Sequence, residues 1–188
     1  MKKTVLAALA VSTAFVAVPA MAQTVATGTV NVTGSVQAKC TVGTPISGTI
    51  TLNELAISDG TVNSAFSNQT GGLSRSFTVR CTSSNVELKV SANALKNAAA
   101  TGLPTGYTNT VHYKATLSAN KAPTGSASTA YTTADTPPAP STTNLGGYLA
   151  NATNNVTVAV SDGATTNTGD ILAAGSYAGD VTITISPV

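Results

Sequence analysis

The chain has 188 residues, of which only 9% are charged, and its formal net charge is +2. Two of its lysines lie at positions 2 and 3, and without them acidic and basic residues balance, so nothing predicts a nucleic-acid or anionic-lipid partner. With a single histidine and two cysteines, and no nucleophile or phosphate-loop motif, we expect no catalytic site, no metal and no cofactor.

The N-terminus has the pattern of a secretory signal peptide. A short basic region precedes the apolar run Val5–Val18, and Ala20-Met21-Ala22 gives a small-x-small cleavage pattern. We expect residues 1–22 to be removed, leaving Gln23 at the mature N-terminus. A retained anchor is the alternative, but the apolar run is short for a membrane span. No later segment reaches that length, so we expect no membrane insertion of the mature chain.

The segment Gly28–Cys40, soon after the predicted cleavage site, alternates between apolar and hydroxyl-rich positions. It predicts a strand over Gly28–Val42 with one apolar edge and one hydroxyl-rich edge. Such a strand can be offered to another molecule, or it can be the first strand of a sandwich paired within its own chain. Parity alone does not separate these two interpretations. The apolar edge carries Val30, Val32, Gly34 and Val36, and the other edge carries Thr29, Asn31, Thr33 and Ser35.

Cys40 and Cys81 are an even pair in an expected oxidising compartment, so we predict a disulfide between them. A metal or redox pair is not favoured, because the spacing is far from C-x-x-C. Closing a loop of about 41 residues stabilises a fold by roughly 4 kcal/mol in the chain-entropy model. We expect the bridge to join two neighbouring strands, with Cα atoms about 4.4–6.8 Å apart.

Strand patterns recur along the rest of the chain, bounded by Gly, Pro, Asn and Asp. They predict an all-β, antiparallel sandwich with no helix longer than about two turns. Only Ala92–Ala100 has the composition for a helical turn or two. His112 lies on the polar edge of its strand, which predicts a solvent-facing imidazole. The predicted strand sets are Gly48–Leu52, Arg75–Cys81, Val86/Leu88/Val90, Val111/Tyr113/Ala115/Leu117, Val156/Val158/Val160 and Val181/Ile183/Ile185.

The stretch 120–147 is rich in Ser, Thr and Ala and contains four prolines, Pro123, Pro137, Pro138 and Pro140. Proline is excluded from central strands, so we predict a long surface loop within one domain. The expected organisation is therefore a signal peptide (1–22), an N-terminal extension (23–36) and one β-sandwich domain (37–188).

Three features together resemble the chaperone-usher pilins, closest to their archaic, spore-coat-U-like branch. The alternation that ends at Cys40 resembles the N-terminal extension and first strand of those pilins. The stretch Phe77-Thr-Val-Arg-Cys81 places the second cysteine about where they have theirs. An Ala-Gly-x-Tyr turn at Ala174–Tyr177, followed by alternating β-branched residues, resembles their last strand.

The resemblance implies an incomplete, immunoglobulin-like β-sandwich whose missing strand is supplied by another molecule. A periplasmic chaperone fills the groove first, and the N-terminal extension of another subunit fills it later, at an outer-membrane usher. By position, the donor strand carries Val30, Val32, Gly34 and Val36, and the edge of the acceptor groove carries Val181, Ile183 and Ile185.

The function implied is that of a structural subunit of a surface fimbria, exported through the periplasm and serving adhesion or biofilm formation. Its partners are then copies of itself or other pilins. The alternative is a monomeric secreted β-sandwich module whose Thr/Pro-rich loop contacts glycan or another surface protein. We do not expect an enzyme.

Overall fold

The computed structural model describes residues 28–43, 46–67 and 72–188, so the predicted signal peptide lies outside the described residues. Within these ranges every regular element is a strand, which confirms the all-β fold class. The strands are β1 Cys40–Val42, β2 Ser74–Phe77, β3 Val79–Cys81, β4 Val86–Ala92, β5 Leu95–Lys96, β6 Tyr107–Thr108, β7 Thr110–Asn120, β8 Ser126–Thr132, β9 Ser141–Asn144, β10 Val156–Ala164, β11 Ile171–Leu172 and β12 Val181–Pro187.

Two main sheets carry the fold of residues 36–188. The first has the order β2-β10-β7-β5, with β8 also paired to β7, and the second has the order β12-β4-β9. Two short pairs accompany them, β1 with β3 and the parallel pair β6 with β11. All ladders of the main sheets are antiparallel.

Strand β4 packs against β7 and β8, which brings the inner faces of the two sheets together over one hydrophobic core. The alternating apolar sets predicted for β4, β7 and β10 are confirmed, because their members are buried. In β12, Val181, Ile183 and Ile185 are half-buried while Thr182 and Thr184 are exposed. The predicted parity of β12 is therefore confirmed, but its apolar face lies at the margin of the core. The buried set is Val86, Leu88, Val90, Val111, Tyr113, Ala115, Leu117, Val156, Val158 and Val160.

The predicted disulfide is confirmed. Cys40 and Cys81 are bonded and lie directly opposite each other in the β1–β3 ladder. Their Cα atoms are 4.1 Å apart, closer than the expected range. The amide of Thr82 donates to the carbonyl of Lys39, so the adjacent cysteine pair occupies a non-hydrogen-bonded position, where antiparallel strands approach most closely.

Three predicted elements are corrected near the N-terminal end of the sandwich. The strand predicted over Gly28–Val42 is confined to β1, and Gly48–Leu52 forms no strand. The predicted strand Arg75–Cys81 is split into β2 and β3 at Thr78. The reason is Asn155, whose buried side chain accepts a hydrogen bond from the Val79 amide and donates one to the Val79 carbonyl. These bonds replace ladder bonds, so β3 leaves the sheet of β2.

The loop predicted over 120–147 is also wrong, because it contains β8 and β9. Strand β8 pairs with β7 along its whole length, and β9 pairs with β4. Tyr131 anchors β8 in the core, and its hydroxyl donates to the Pro138 carbonyl at 3.1 Å. The four prolines fall between strands. They mark the turns on either side of β8 and leave its ladder intact.

The predicted solvent-facing imidazole of His112 is wrong as well. The side chain is buried, and its Nε2 lies 3.1 Å from Asp135 Oδ1 and 3.2 Å from Thr166 Oγ1. The segments after β8 and β10 supply these two partners and cover this edge of the sheet. His112 therefore joins three segments of the fold through polar contacts.

Removing the disulfide should weaken the fold without changing its class. We expect the Cys40→Ala/Cys81→Ala double variant to lose about 4 kcal/mol of unfolding free energy, because its unfolded chain regains the freedom of an open loop. Urea unfolding followed by tyrosine fluorescence measures this loss, and far-UV circular dichroism checks that the variant is still all-β. A variant with an unchanged urea midpoint would contradict the assignment of this stabilising role.

Candidate functional site

Strand β12 is paired on one side. Its residues run antiparallel to β4 from the pair Val181–Ala92 to the pair Pro187–Val86. On its other side, no strand partner occurs among the residues that the structure describes. Such an edge presents a row of backbone donors and acceptors to whatever lies beside it.

A cavity of about 310 Å³ lies beside this edge, between β12 and β2, the edge strand of the other sheet. We call it the β12 groove. Val181 and Ile183 line it from β12, and Phe77 lines it from β2. The cavity reaches buried residues of the core, so it is a largely apolar opening into the sandwich, although Arg75 and Asp180 also line it. These core residues are Tyr113, Val158 and Val160.

The segment Ile46–Leu52 also lines the β12 groove, and we call it the cover segment. Ile46, Ile50 and Leu52 are half-buried and pack against the core, whereas its polar side chains are exposed. A second cavity of about 710 Å³ lies along the same segment and extends to the 172–179 turn. Both cavities border the cover segment, so it does not fill the space between β12 and the 172–179 turn.

Asp180, the residue before β12, fixes one end of the groove. Its carbonyl accepts hydrogen bonds from the Tyr113 hydroxyl at 3.0 Å and from the Asn93 amide at 2.9 Å. Burial, together with the nearby charge of Asp180, raises the pKa of Tyr113 to about 12. The hydroxyl therefore stays protonated at neutral pH and keeps donating this bond.

The turn that leads into β12 depends on Asn97, which the sequence analysis did not identify. The buried Asn97 side chain donates to the Ala174 carbonyl at 3.1 Å. Gly175 has a φ of 142°, and an added Cβ would lie 2.5 Å from Asn97 Nδ2. The Tyr177 hydroxyl closes the turn by donating to the Ala173 carbonyl at 2.9 Å. The glycine of the Ala-Gly-x-Tyr pattern is thus required by both conformation and space.

Two of the three predicted acceptor residues line the groove, and the third does not. Val181 and Ile183 line the β12 groove, whereas Ile185 lies further along β12, opposite Leu88, and is not among the lining residues. Phe77 and the cover segment also belong to this site and were not predicted from the sequence. Their alternation was visible in the sequence, but nothing in it indicated that they meet across a groove.

The predicted donor residues have exposed side chains. In the described part of the N-terminal extension, Val30 is 87% and Val32 is 92% exposed, and neither belongs to a strand. Val36, in the other compact unit of the chain, is 81% exposed. Gly34 does not have a left-handed φ. Its own backbone conformation therefore does not require a glycine.

Among the described residues, no group of three or more His, Cys, Asp or Glu side chains could hold a metal ion. The same ranges contain no helix of the length and apolar character needed to cross a membrane. The comparisons with known proteins found no matching family model, no matching curated protein and no matching solved structure. The functional proposal therefore rests on the β12 groove and the residues around it.

The hydrogen bond at the end of the groove can be tested by removing one hydroxyl. We expect Tyr113→Phe to lower the free energy of unfolding by about 0.5–1.5 kcal/mol, because the Asp180 carbonyl loses one of its two donors. Urea unfolding measures the change. The matched control is Tyr148→Phe, whose ring is 55% exposed and should leave stability unchanged. Equal stability of the two variants would show that the Tyr113 bond does not hold this end of β12.

Proposed function

We propose that the chain is a structural subunit of a surface fimbria that polymerises by strand addition. The segment Gly28–Val36, here called the donor segment, enters the β12 groove of another copy and pairs with β12. The observation that carries this proposal is the edge of β12, which borders an apolar opening into the core and has no strand partner among the described residues. A strand edge without a strand partner, beside a largely apolar groove, favours the addition of a strand there.

The donor segment has the length that this role needs. Its nine residues span about 30 Å when extended, and the seven residues of β12 span about 23 Å. One strand can therefore cover the whole edge. With Val30, Val32 and Val36 turned toward the groove, the hydroxyl-rich edge of the donor faces water.

The energetics favour this arrangement. Burying a valine side chain contributes roughly 1.5–3 kcal/mol, and each ladder hydrogen bond adds about 0.5–1.5 kcal/mol. Gly34 fits the same interpretation, because its own conformation does not require a glycine. We infer that the groove is shallow at the position that Gly34 occupies, so that a larger side chain would collide with the acceptor.

The remaining partners follow from the same chemistry. An apolar groove open to water invites aggregation, so we propose that a periplasmic chaperone covers it until an outer-membrane usher brings subunits together. The chain is then exported to the cell surface, where fimbriae serve adhesion or biofilm formation. The alternative, a monomeric binding module with a Thr/Pro-rich contact loop, has less support because 120–147 contains β8 and β9.

Removing the donor segment tests polymerisation directly. We expect deletion of Gln23–Val36 to abolish polymers, because the acceptor groove remains but no subunit can supply a strand. Electron microscopy and size-exclusion chromatography of the exported protein measure this. The deleted chain should still bind its chaperone through the β12 groove.

A matched pair of variants separates the apolar edge of the donor from its polar edge. Val30→Ser/Val32→Ser should prevent polymers, whereas Thr29→Ser/Thr33→Ser should leave them intact. If the unaltered chain is a stable monomer that needs Val30 and Val32 for its own core, the fimbrial function is wrong. The monomeric binding module then takes its place.

Gly34 provides a sharper test of the groove. We expect Gly34→Ile to weaken assembly by about 5- to 150-fold, which corresponds to an overpacking cost of roughly 1–3 kcal/mol. The polymerisation rate followed by light scattering measures the effect. Ser35→Ile, on the opposite parity, is the control and should assemble at the normal rate. Normal fibres from Gly34→Ile would remove the argument for a shallow groove at that point.

A further inference from the structure

The cover segment repeats the pattern of the donor segment. Residues 30–36 and residues 46–52 are both seven residues long. In each segment the first, third, fifth and seventh residues are apolar or glycine, and the residues between them have hydroxyl or amide side chains. One glycine interrupts the apolar edge in each case. In the first segment the apolar edge is Val30, Val32, Gly34 and Val36, and in the second it is Ile46, Gly48, Ile50 and Leu52.

The cover segment already lines the β12 groove, with its apolar edge toward the core. Ile46, Ile50 and Leu52 are half-buried and pack against the core, while Thr49 and Thr51 are exposed. This is the orientation that we propose for the donor segment when it enters another copy. The two segments therefore suit the same apolar surface.

The cover segment occupies that surface poorly. Residues 47–55 form no strand, so they make no ladder with β12. Ile50 and Leu52 line both neighbouring cavities, of about 310 and 710 Å³. Side chains that border a cavity make fewer close contacts than fully packed side chains. A strand with a full ladder and good packing would hold the groove more strongly.

Both ends of the cover segment are fixed independently of it. On one side the Cys40–Cys81 disulfide secures β1. On the other side Leu55 is buried, and its carbonyl accepts a hydrogen bond from the Asn63 amide at 2.7 Å. Residues 46–52 make neither anchor, so their departure from the groove would break neither the disulfide nor the hydrogen bond of Leu55.

We propose that the cover segment is a resident substitute for the donor strand. It shields the β12 groove in the free subunit and is displaced when the donor segment of another copy enters. This inference rests on the proposed function and adds a regulation to it, because the rate of displacement limits the rate of assembly. The donor succeeds because it combines the same apolar edge with ladder bonds to β12.

The first test measures entry of a donor peptide into the purified full chain. The probe is a fluorescein-labelled synthetic peptide of residues 28–36, followed by fluorescence anisotropy. Because Ile50 packs the cover segment against the core, we expect Ile50→Ser to raise the association rate of the peptide about tenfold. A tenfold change corresponds to about 1.4 kcal/mol. Thr51→Ser, on the exposed parity of the same segment, is the matched control and should bind at the normal rate. Ile183→Ser, in the groove itself, should weaken binding.

The second test needs no substitution and so does not depend on how the variants fold. Hydroxyl-radical footprinting of the unaltered chain is compared with and without saturating peptide. We expect the half-buried apolar side chains of residues 46–52 to lose protection from oxidation when the peptide is bound, while the buried side chains of β4 keep theirs.

The outcomes separate the two proposals. If Ile50→Ser binds the peptide at the normal rate or more slowly, or if residues 46–52 keep or gain protection in the complex, the substitute role is overturned and the fimbrial function stands. If the peptide binds neither the unaltered chain nor Ile50→Ser, or if Ile183→Ser has no effect, the fimbrial function is overturned and the substitute role fails with it.

Discussion

The edge of β12 is the constraint on which the rest of this structure depends. β12 is the edge strand of its sheet, paired with β4, and beside its other edge an apolar groove opens into the core. A sandwich in this condition has apolar surface and backbone groups that are best covered by one more strand. The hydrogen bonds of Asp180 and the turn at Gly175 hold the beginning of β12 in place.

Two interactions arrange the strands that precede the groove. Asn155 bonds to the backbone of Val79, where β2 ends and β3 begins, and the disulfide ties β3 to β1. The chain that follows β1 forms no strand over residues 46–52, where it lines the β12 groove. An irregular segment, and not a strand, therefore lies next to β12.

Local patterns in the sequence predicted side-chain parity well, because parity depends only on the two-residue period of an extended chain. The alternating apolar sets of β4, β7 and β10 were predicted for this reason. The errors occurred where distant partners decide the outcome. Gly48–Leu52 has a strand pattern but pairs with no other strand. In contrast, β8 has a weak pattern and is a strand because it pairs with β7 and packs against the core. His112 is buried because segments remote in sequence supply Asp135 and Thr166 as its partners.

The sequence by itself determined the all-β class, the cysteine pair and the alternation of apolar and hydroxyl side chains in residues 30–36 and 46–52. These properties are local or compositional, so they can be read without knowing which strands meet. Only the tertiary structure decided that β12 lies at the edge of its sheet among the described strands, and that Phe77 and Ile183 line the same groove. It also decided that the cover segment lines this groove without forming a ladder. Strand order and cavities depend on contacts between residues far apart in the chain, and a local pattern carries no information about which of those contacts form.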